Sequence, residues 1–318
     1  MTSTNLMQSI GIDGVRKPIT KLVLGSMMLN IERQEYSEEL LDCYVERGGN
    51  TIDTAKVYGP GSAKAIGQWI SKRNNREGIV LIGKGAHPDA NGPRVNKAEI
   101  ERDIEETFEW MQTDYVDVYM LHRDDPQKSV GYILEILNEQ LEAGKCHALG
   151  VSNWTTARIE EANQYAESHG LRGFVCNSPN LSLAKPNEPR WEGCISANEV
   201  YVDWHERTQL PLLSWSSQAG GFFTGRYSPS YKDDLEAVRV YYNDENWERY
   251  RRASELAAEK GRSTNDIALS FVLHQPFPTC AIIGPNNTSE LTSSLEALHV
   301  SLTPSEVSWL DLKQDTRE

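Results

Sequence analysis

Residues 79–122 read IVLIGKGAHPDANGPRVNKAEIERDIEETFEWMQTDYVDVYMLH, and they contain one complete strand–helix–strand unit. Both ends of this stretch are short apolar runs, interrupted in the second only by Asp117, and such runs are typical of strands buried on both faces. Between them Ile100, Ile104 and Phe108 recur at four-residue spacing, on one face of a helix. A helix between two such strands makes a right-handed crossover between parallel neighbours. The stretch therefore predicts an α/β fold.

The same alternation of apolar runs and amphipathic segments extends along the rest of the chain. The predicted strands are residues 22–25, 51–54, 79–83, 116–121, 147–152, 174–177, 211–215 and 280–284. Two further sets of residues share a helix face: Ile133, Leu137 and Leu141 form one, and Leu291, Leu295 and Leu298 form the other. Gly48 and Gly144 lie where we expect helices to end. Eight strand–helix units predict a (β/α)8 TIM barrel, a single domain over residues 1–318. An open, doubly wound sheet is the alternative, but no Gly-x-Gly-x-x-Gly follows an early strand.

Two segments do not fit the bare repeat. Residues 6–20 precede the first barrel strand, and we expect a hairpin there that closes the floor of the barrel. Residues 218–246 are too long for a simple connection, which predicts a functional flap. We also expect the polar segment 185–191, which reads KPNEPRW, to overhang the barrel mouth.

Composition and charge restrict the class of protein. The 318 residues are 39% apolar and 25% charged, as in ordinary globular proteins, and the net charge is −14. This negative charge argues against binding to nucleic acid or anionic membranes. The start of the chain has no basic region with an apolar run, and no apolar run approaches membrane-spanning length. The five cysteines are odd in number and far apart, so we expect buried thiols in the reducing cytoplasm.

Chemically reactive side chains follow three consecutive predicted strands. Asp53 and Tyr58 lie at the end of the second strand, Lys84 ends the third, and His122 ends the fourth. Singly, such residues are ordinary helix caps, surface charges or structural histidines. In a barrel, however, the carboxyl ends of adjacent strands meet at the mouth, where catalytic groups lie. The four residues are therefore predicted to form one reaction centre.

Three longer motifs are shared with a known family. They are GGNTIDTAKVYG at 48–59, GVSNW at 150–154 and WSSQAGGFFTGR at 215–226. The chain thus resembles the aldo-keto reductases over roughly residues 20 to 300, and Lys84 and His122 fall where that family places the rest of its catalytic tetrad. The resemblance implies a carbonyl reductase, an oxidoreductase that uses a nicotinamide cofactor.

A chemical rationale for the four residues accompanies this resemblance. Hydride addition to a carbonyl leaves an alkoxide that needs a proton, and Tyr58 can supply it as general acid. A free phenol has a pKa of about 10, and a nearby Lys84 ammonium is expected to lower that pKa. Asp53 would hold Lys84 in place, and His122 would donate a hydrogen bond to the substrate carbonyl. In the reverse direction Tyr58 becomes the base.

The resemblance also implies a set of cofactor contacts. Ser152, Asn153 and Ser178 would bind the nicotinamide amide, although the family usually has Gln where this chain has the shorter Ser178. Trp215 would stack on the nicotinamide ring, unless it is only a packing residue of the barrel. The expected pyrophosphate contacts are Ser216, Gln218, Gly220 and Arg226, and the expected adenosine contacts are Gly284, Asn286 and Glu290. NADP(H) is the family's usual cofactor, but the turn at 284–290 has no basic residue for a 2′-phosphate, which leaves NAD(H) open.

The substrate and two rival functions complete the sequence-based expectations. We expect a small-molecule carbonyl or alcohol substrate, with Arg123, Trp154 and Trp191 as candidate contacts. Arg123 with the two aspartates that follow it suits sugar-like carbonyls, or is simply a solvated loop with internal ion pairs. One rival is a cofactor-binding regulatory subunit, like the potassium-channel beta subunits that resemble this family. The other is a metal-dependent hydrolase using His87, His122 and His147, but their spacing does not suit a metal.

Overall fold

The computed structural model describes residues 7–317, and all eight predicted barrel strands are present. The strands are β3 (Leu22–Gly25), β4 (Thr51–Asp53), β5 (Val80–Gly85), β6 (Val116–Leu121), β7 (Cys146–Ser152), β8 (Phe174–Ser178), β9 (Leu212–Ser214) and β10 (Thr279–Ile283). They form a closed parallel barrel in the order β10-β3-β4-β5-β6-β7-β8-β9. The predicted (β/α)8 fold is therefore confirmed, and the open sheet is excluded. The largest boundary difference is at β5, which ends at Gly85 instead of residue 83.

The chain divides into two compact units, Met1–Ser178 and Pro179–Glu318. A single domain over residues 1–318 accordingly stays a prediction. The first unit carries strands β3 to β8 and five α-helices, which are α1 (Gln34–Glu46), α2 (Gly59–Arg73), α3 (Lys97–Met111), α4 (Val130–Glu142) and α5 (Thr156–His169). Three of these helices begin at a side-chain N-cap, namely α3 at Asn96, α4 at Ser129 and α5 at Thr155. These caps satisfy backbone N–H groups that the first turn of a helix leaves without partners.

Strand register places the inner face of the first unit. Lys84 on β5 pairs with Met120 on β6, Met120 with Gly150 on β7, and Gly150 with Cys176 on β8. Side chains at the same register position of neighbouring parallel strands point to the same side, and the direction alternates along each strand. Residues two positions further on, such as Ser152, therefore share the face of Lys84.

An antiparallel hairpin lies before the barrel, as predicted. Its strands are β1 (Ser9–Ile10) and β2 (Ile19–Thr20), while residue 6 of the predicted segment lies outside the described residues. The turn between them carries Lys17, whose ammonium donates to the carbonyl of Ile79 at 2.7 Å and lies 3.1 Å from Asp117 Oδ1. Both partners lie at the amino ends of barrel strands, so within the first unit the hairpin packs against that end.

The second unit contains the parallel pair β9 and β10 and six α-helices. These are α6 (Glu199–Thr208), α7 (Leu235–Tyr241), α8 (Asp244–Lys260), α9 (Thr264–Leu273), α10 (Thr288–Leu295) and α11 (Pro304–Leu310). The predicted flap 218–246 is not a plain loop. It starts with a short 3₁₀ helix at Ala219–Gly221, contains α7 with its N-cap at Asp234, and ends in the first turn of α8.

Two further expectations concern membranes and thiols. Among residues 7–317, no helix is both long enough and apolar enough to cross a membrane. All five cysteines are buried as thiols, in agreement with the prediction.

Candidate active site

A buried ion pair joins the second and third barrel strands at their carboxyl ends. The ammonium of Lys84 contacts Asp53 Oδ1, and each side chain keeps only 4% of its surface exposed. Lys84 also donates to the carbonyl of Thr54 at 3.4 Å. Burial raises the pKa of Asp53, and the charge and hydrogen bond of Lys84 act in the opposite direction. The lysine charge is thus enclosed and held by one carboxylate.

Tyr58 reaches the site from a short 3₁₀ helix, Lys56–Tyr58, that follows β4. The Lys56 ammonium anchors this turn to α3, at 2.7 Å from Glu106 and 4.1 Å from the ring centroid of Trp110. Gly59, with a φ of 83°, supplies the left-handed residue at the change from the 3₁₀ helix to α2. The Tyr58 side chain is half-buried, so it can meet both a ligand and the protein interior.

His122 lies beside Tyr58, with ring centroids 6.3 Å apart and planes nearly perpendicular. Its backbone N–H donates to the carbonyl of Gly85 at 2.9 Å, which fixes its position after β6. Burial, followed by the positive charges of Lys84 and Arg123, holds the pKa of His122 well below its usual range. The imidazole is therefore neutral at neutral pH, and it carries one N–H donor.

A second histidine adjoins the first. His87 packs edge-to-face against His122 at a centroid distance of 4.9 Å, and burial lowers its pKa. Its Nδ1 donates to the carbonyl of Pro88 at 2.8 Å. The sequence suggested His87 only as a candidate metal ligand and gave no sign of this contact. Across residues 7–317, no group of three or more His, Cys, Asp or Glu side chains is arranged to hold a metal ion.

The three residues expected at the nicotinamide amide form one hydrogen-bonded row. Ser152 Oγ donates to the carbonyl of Ser178 at 2.7 Å, and Asn153 Nδ2 donates to Ser152 Oγ at 3.0 Å. Asn153 also reaches the carbonyl of His122 at 3.4 Å. Its φ of 60° is left-handed, a conformation that Asn tolerates better than most residues. The row therefore lies directly beside the His122 backbone.

The polar residues after His122 already have partners in the protein. Arg123 is buried and donates to the carbonyl of His122 at 2.9 Å. Asp124 accepts from Arg158 Nε at 3.1 Å, and Asp125 accepts from the backbone of Gln127 at 3.1 Å. This arrangement agrees with the internal ion pairs that were one of the two expectations for this loop.

The two candidate tryptophans differ in exposure. Trp154 is fully buried, and it packs against Phe174 at 5.2 Å with the Arg158 guanidinium 5.4 Å above its ring. In the second unit, Trp191 keeps 46% of its surface exposed and contacts the half-buried Trp215 at 5.7 Å. Of these two candidates, Trp191 is the one that offers a large apolar surface to a ligand.

The segment after β9 in the second unit has an unusual backbone. Five residues between Trp215 and Arg226 have left-handed φ angles, namely Ser216 at 47°, Ala219 at 49°, Gly220 at 62°, Gly221 at 84° and Gly225 at 85°. Gln218 Nε2 donates to Ser294 Oγ at 3.3 Å, and Arg226 Nη2 donates to the carbonyl of Gly220 at 2.8 Å. All four residues predicted for pyrophosphate binding therefore lie in or on this turn.

An arginine that the sequence-based prediction missed joins this turn. Arg190 Nη1 donates to Ser216 Oγ at 3.3 Å, and its Nε and Nη2 bind both carboxylate oxygens of Glu236 at 3.1 and 2.9 Å. Burial works to lower the pKa of Arg190, but the Glu236 carboxylate outweighs it, and the pKa is raised. In the sequence, Arg190 is one of two basic residues of the polar segment 185–191, and nothing there distinguishes it from Lys185.

The expected adenosine end lies at the start of α10. Glu290 Oε2 accepts from the backbone N–H and the side-chain amide of Asn286, at 2.8 and 3.0 Å. Gly284 and Asn286 are exposed. The N–H groups that could bind an anion here thus face a carboxylate of the chain itself.

Comparisons with known proteins give one consistent result. The sequence profile of the Aldo/keto reductase family matches residues 21–315. The chain is 27% identical to the "uncharacterized oxidoreductase YrpG" of Bacillus subtilis, over 92% of this chain and 91% of that protein. It is 29% identical to the norsolorinic acid reductase stcV of Emericella nidulans, over 86% of this chain and 70% of that protein. It is 26% identical to the putative aryl-alcohol dehydrogenase AAD14 of Saccharomyces cerevisiae, over 91% of this chain and 78% of that protein.

Proposed function

The chain belongs to the aldo/keto reductase family, and we propose that it transfers a hydride between NADPH or NADH and the carbonyl carbon of an aldehyde, ketone or sugar-like substrate, reversibly. The observation that carries the proposal is the buried Asp53–Lys84 pair beside a neutral His122 and the half-buried Tyr58. A pair so enclosed is costly to maintain, and such groups cluster at sites of proton transfer.

Tyr58 is the proposed general acid for reduction. A bound nicotinamide cofactor would supply the hydride, and Tyr58 would give its phenolic proton to the carbonyl oxygen as that oxygen gains negative charge. The resulting phenolate is stabilised by the Lys84 ammonium, whose position depends on Asp53. For alcohol oxidation the same phenolate removes the hydroxyl proton.

His122 is the proposed donor to the substrate carbonyl. Because its pKa is held well below the usual range, the ring is neutral and polarises the carbonyl through one N–H without adding a charge. Edge contact with His87 restricts the orientation of the ring. Asn153, bonded to the His122 carbonyl, would link this orientation to the nicotinamide amide.

The turn after β9 fits the phosphates of a dinucleotide. A Cβ on Gly220 would lie 3.5 Å from Arg190 Nη1, and a Cβ on Gly221 would lie 3.2 Å from Arg226 Nη2. Two glycines therefore keep open the space next to two guanidinium groups, which is the chemistry a diphosphate requires. Ser216 and Gln218 would add hydroxyl and amide donors, and Trp215 would stack on the nicotinamide.

We also propose a weak preference for NADPH over NADH. In this chain Glu290 already accepts the N–H groups at the start of α10. Its carboxylate would repel a 2′-phosphate, whereas it could accept a hydrogen bond from a ribose hydroxyl. The contact set Gly284, Asn286 and Glu290 is therefore better suited to NADH than a basic turn would be.

Aromatic carbonyls are the first substrates to test. Two of the relatives are named as a norsolorinic acid reductase and an aryl-alcohol dehydrogenase. The exposed Trp191 suits a flat apolar ring, while Asp124 and Asp125 are engaged by the protein and offer less to a sugar. Arg123 and Trp154 stay candidate contacts. The five buried thiols support a cytoplasmic location for the enzyme.

Replacement of Tyr58 by Phe tests the proposal. NADPH and NADH oxidation would be followed with a panel of aromatic aldehydes, ketones and keto-sugars. We expect Tyr58→Phe to bind cofactor as the wild type does and to lose turnover by about a thousandfold, within the usual range for a general acid. The matched control is Tyr132→Phe, a surface tyrosine of α4 that should keep full activity. Full turnover by Tyr58→Phe would refute the general-acid assignment. A wild type that binds cofactor but turns over no substrate would favour the regulatory subunit.

A further inference from the structure

Arg190 occupies a distinctive position in the second unit. It extends from the segment 185–191, and its guanidinium lies between Ser216 Oγ and the Glu236 carboxylate. The side chain keeps 22% of its surface exposed, and that of Glu236 keeps 43%. The cation is therefore directed towards the turn after β9, while an accessible carboxylate neutralises it.

A second arginine, Arg226, binds the backbone of the same turn. Arg226 donates to the carbonyl of Gly220 and to the hydroxyl of Tyr227, and Tyr227 donates to Asp234 at 2.6 Å. Asp234 and Glu236 are the N-cap and a first-turn residue of α7. Arg190 binds α7 directly and Arg226 binds it through Tyr227, so acidic groups at the start of α7 serve both cations.

The Arg190–Glu236 pair is one of several links between α7 and the segment 185–191. Arg239 of α7 already pairs with Glu188, and it donates to the carbonyl of Arg190 at 3.0 Å. The backbone N–H of Asn187 adds a further bond to the carbonyl of Val240 at 2.7 Å. These links would remain if the Arg190 side chain exchanged Glu236 for another anion.

We propose that Arg190 binds the diphosphate of the dinucleotide together with Arg226, and that Glu236 is the counterion which this diphosphate displaces. This inference rests on the proposed function for the identity of the ligand. A diphosphate carries more charge than a carboxylate and can accept both arms of a guanidinium. The exchange keeps Arg190 paired in both states, so the cation is never left without an anion.

Substitution of Arg190 tests the diphosphate contact. Dissociation constants for NADPH, NADH and ADP-ribose, which has the diphosphate but no nicotinamide, would be measured by calorimetry. We expect Arg190→Gln to weaken all three ligands by about ten- to a hundredfold, as for loss of a hydrogen-bonded charge pair, and to reduce the salt dependence of binding. The matched control, Arg251→Gln, breaks the exposed ion pairs of α8 with Glu248 and Glu255 and should change each constant by less than about fivefold.

Substitution of Glu236 gives the sharper result, because the two interpretations predict opposite signs. If Glu236 is a displaceable counterion, Glu236→Gln should bind the three ligands several-fold more tightly. If Glu236 only builds the site, the variant should bind them more weakly. Weaker binding by Glu236→Gln, or unchanged binding by a folded Arg190→Gln, would overturn the inference. If the wild type bound ADP-ribose in an Arg190-dependent way but bound neither NADPH nor NADH, the proposed function alone would be refuted.

Discussion

Replacement of Asp53 by Asn should cost more stability than breaking almost any other ion pair of the protein. The variant removes one negative charge and leaves the Lys84 ammonium in an environment where only 4% of its side chain is exposed. Among residues 7–317, the one further acceptor for that ammonium is the Thr54 carbonyl, at 3.4 Å. A buried cation without a counterion is strongly destabilising, because water cannot replace the lost partner.

The expected magnitude follows from this burial. Removing one member of a buried pair costs about 3–5 kcal/mol, and we expect Asp53→Asn to lower the free energy of unfolding by that amount. The control is Glu296→Gln, which breaks the pair with Arg262 at 2.7 Å on the surface, where 48% and 31% of the two side chains are exposed. That change should cost within about 1 kcal/mol.

Urea denaturation and steady-state kinetics together test the argument. Asp53→Asn should also reduce turnover by about a hundredfold, since a displaced Lys84 no longer stabilises the Tyr58 phenolate at the right distance. Tyr58→Phe, in contrast, should lose turnover and keep its unfolding free energy. An Asp53→Asn protein that unfolds within 1 kcal/mol of the wild type would show that Lys84 is not held as a buried charge, and the mechanism built on it would fail.

Two further predictions concern pH and cofactor choice. Burial lowers the pKa of His205 from 6.5 to about 4. As the pH falls, His205 therefore binds a proton in the unfolded chain before it does so in the folded protein, and the folded protein loses stability between pH 6.5 and about pH 4. The stability of wild type relative to His205→Phe should therefore fall by about 3 kcal/mol from pH 7 to pH 4 in urea titrations; a pH-independent difference would contradict the burial argument. For the cofactor, the wild type should bind NADPH less than a thousandfold more tightly than NADH, and Glu290→Gln should shift the ratio towards NADPH by about tenfold. A NADPH dissociation constant a thousandfold below that of NADH, in equilibrium titrations, would refute the weak preference.

The positions that the sequence predicted well are those fixed by strand geometry. Asp53, Lys84 and Ser152 lie at strand ends or in the last residues of strands, where the side-chain direction follows from the two-residue period and the register of neighbours. Apolar runs locate the strands, and the barrel topology then brings their carboxyl ends together. The local sequence pattern and the overall fold agree at these residues, so a short stretch of sequence is enough to place them at strand ends of the barrel.

Positions set by loops were predicted less well. His87 reaches His122 because the segment after β5 is fastened to α3, where Arg94 binds Asp103 at 2.7 Å and Ala86 takes a left-handed φ of 57°. Nothing in the local sequence specifies that contact. The partner of Arg190 is similarly distant, since Glu236 lies 46 residues further along the chain on a helix within the expected flap. Such pairs depend on how a whole segment docks, and periodicity carries no information about docking.

The Asp53–Lys84 and Arg190–Glu236 ion pairs differ in how much of their surface is exposed, and this difference suits them to different roles. The Asp53–Lys84 pair has 4% of each side chain exposed, so separating its members would leave a charge in a medium of low dielectric constant. Separation of this pair would therefore be costly, and in the proposed mechanism the fixed Lys84 charge stabilises the Tyr58 phenolate. The Arg190–Glu236 pair has 22% and 43% exposed, and pairs of that kind contribute little to stability. Because separating Arg190 from Glu236 costs little free energy, a diphosphate can replace the Glu236 carboxylate. Arg190 is then paired with an anion both in the free protein and in the complex.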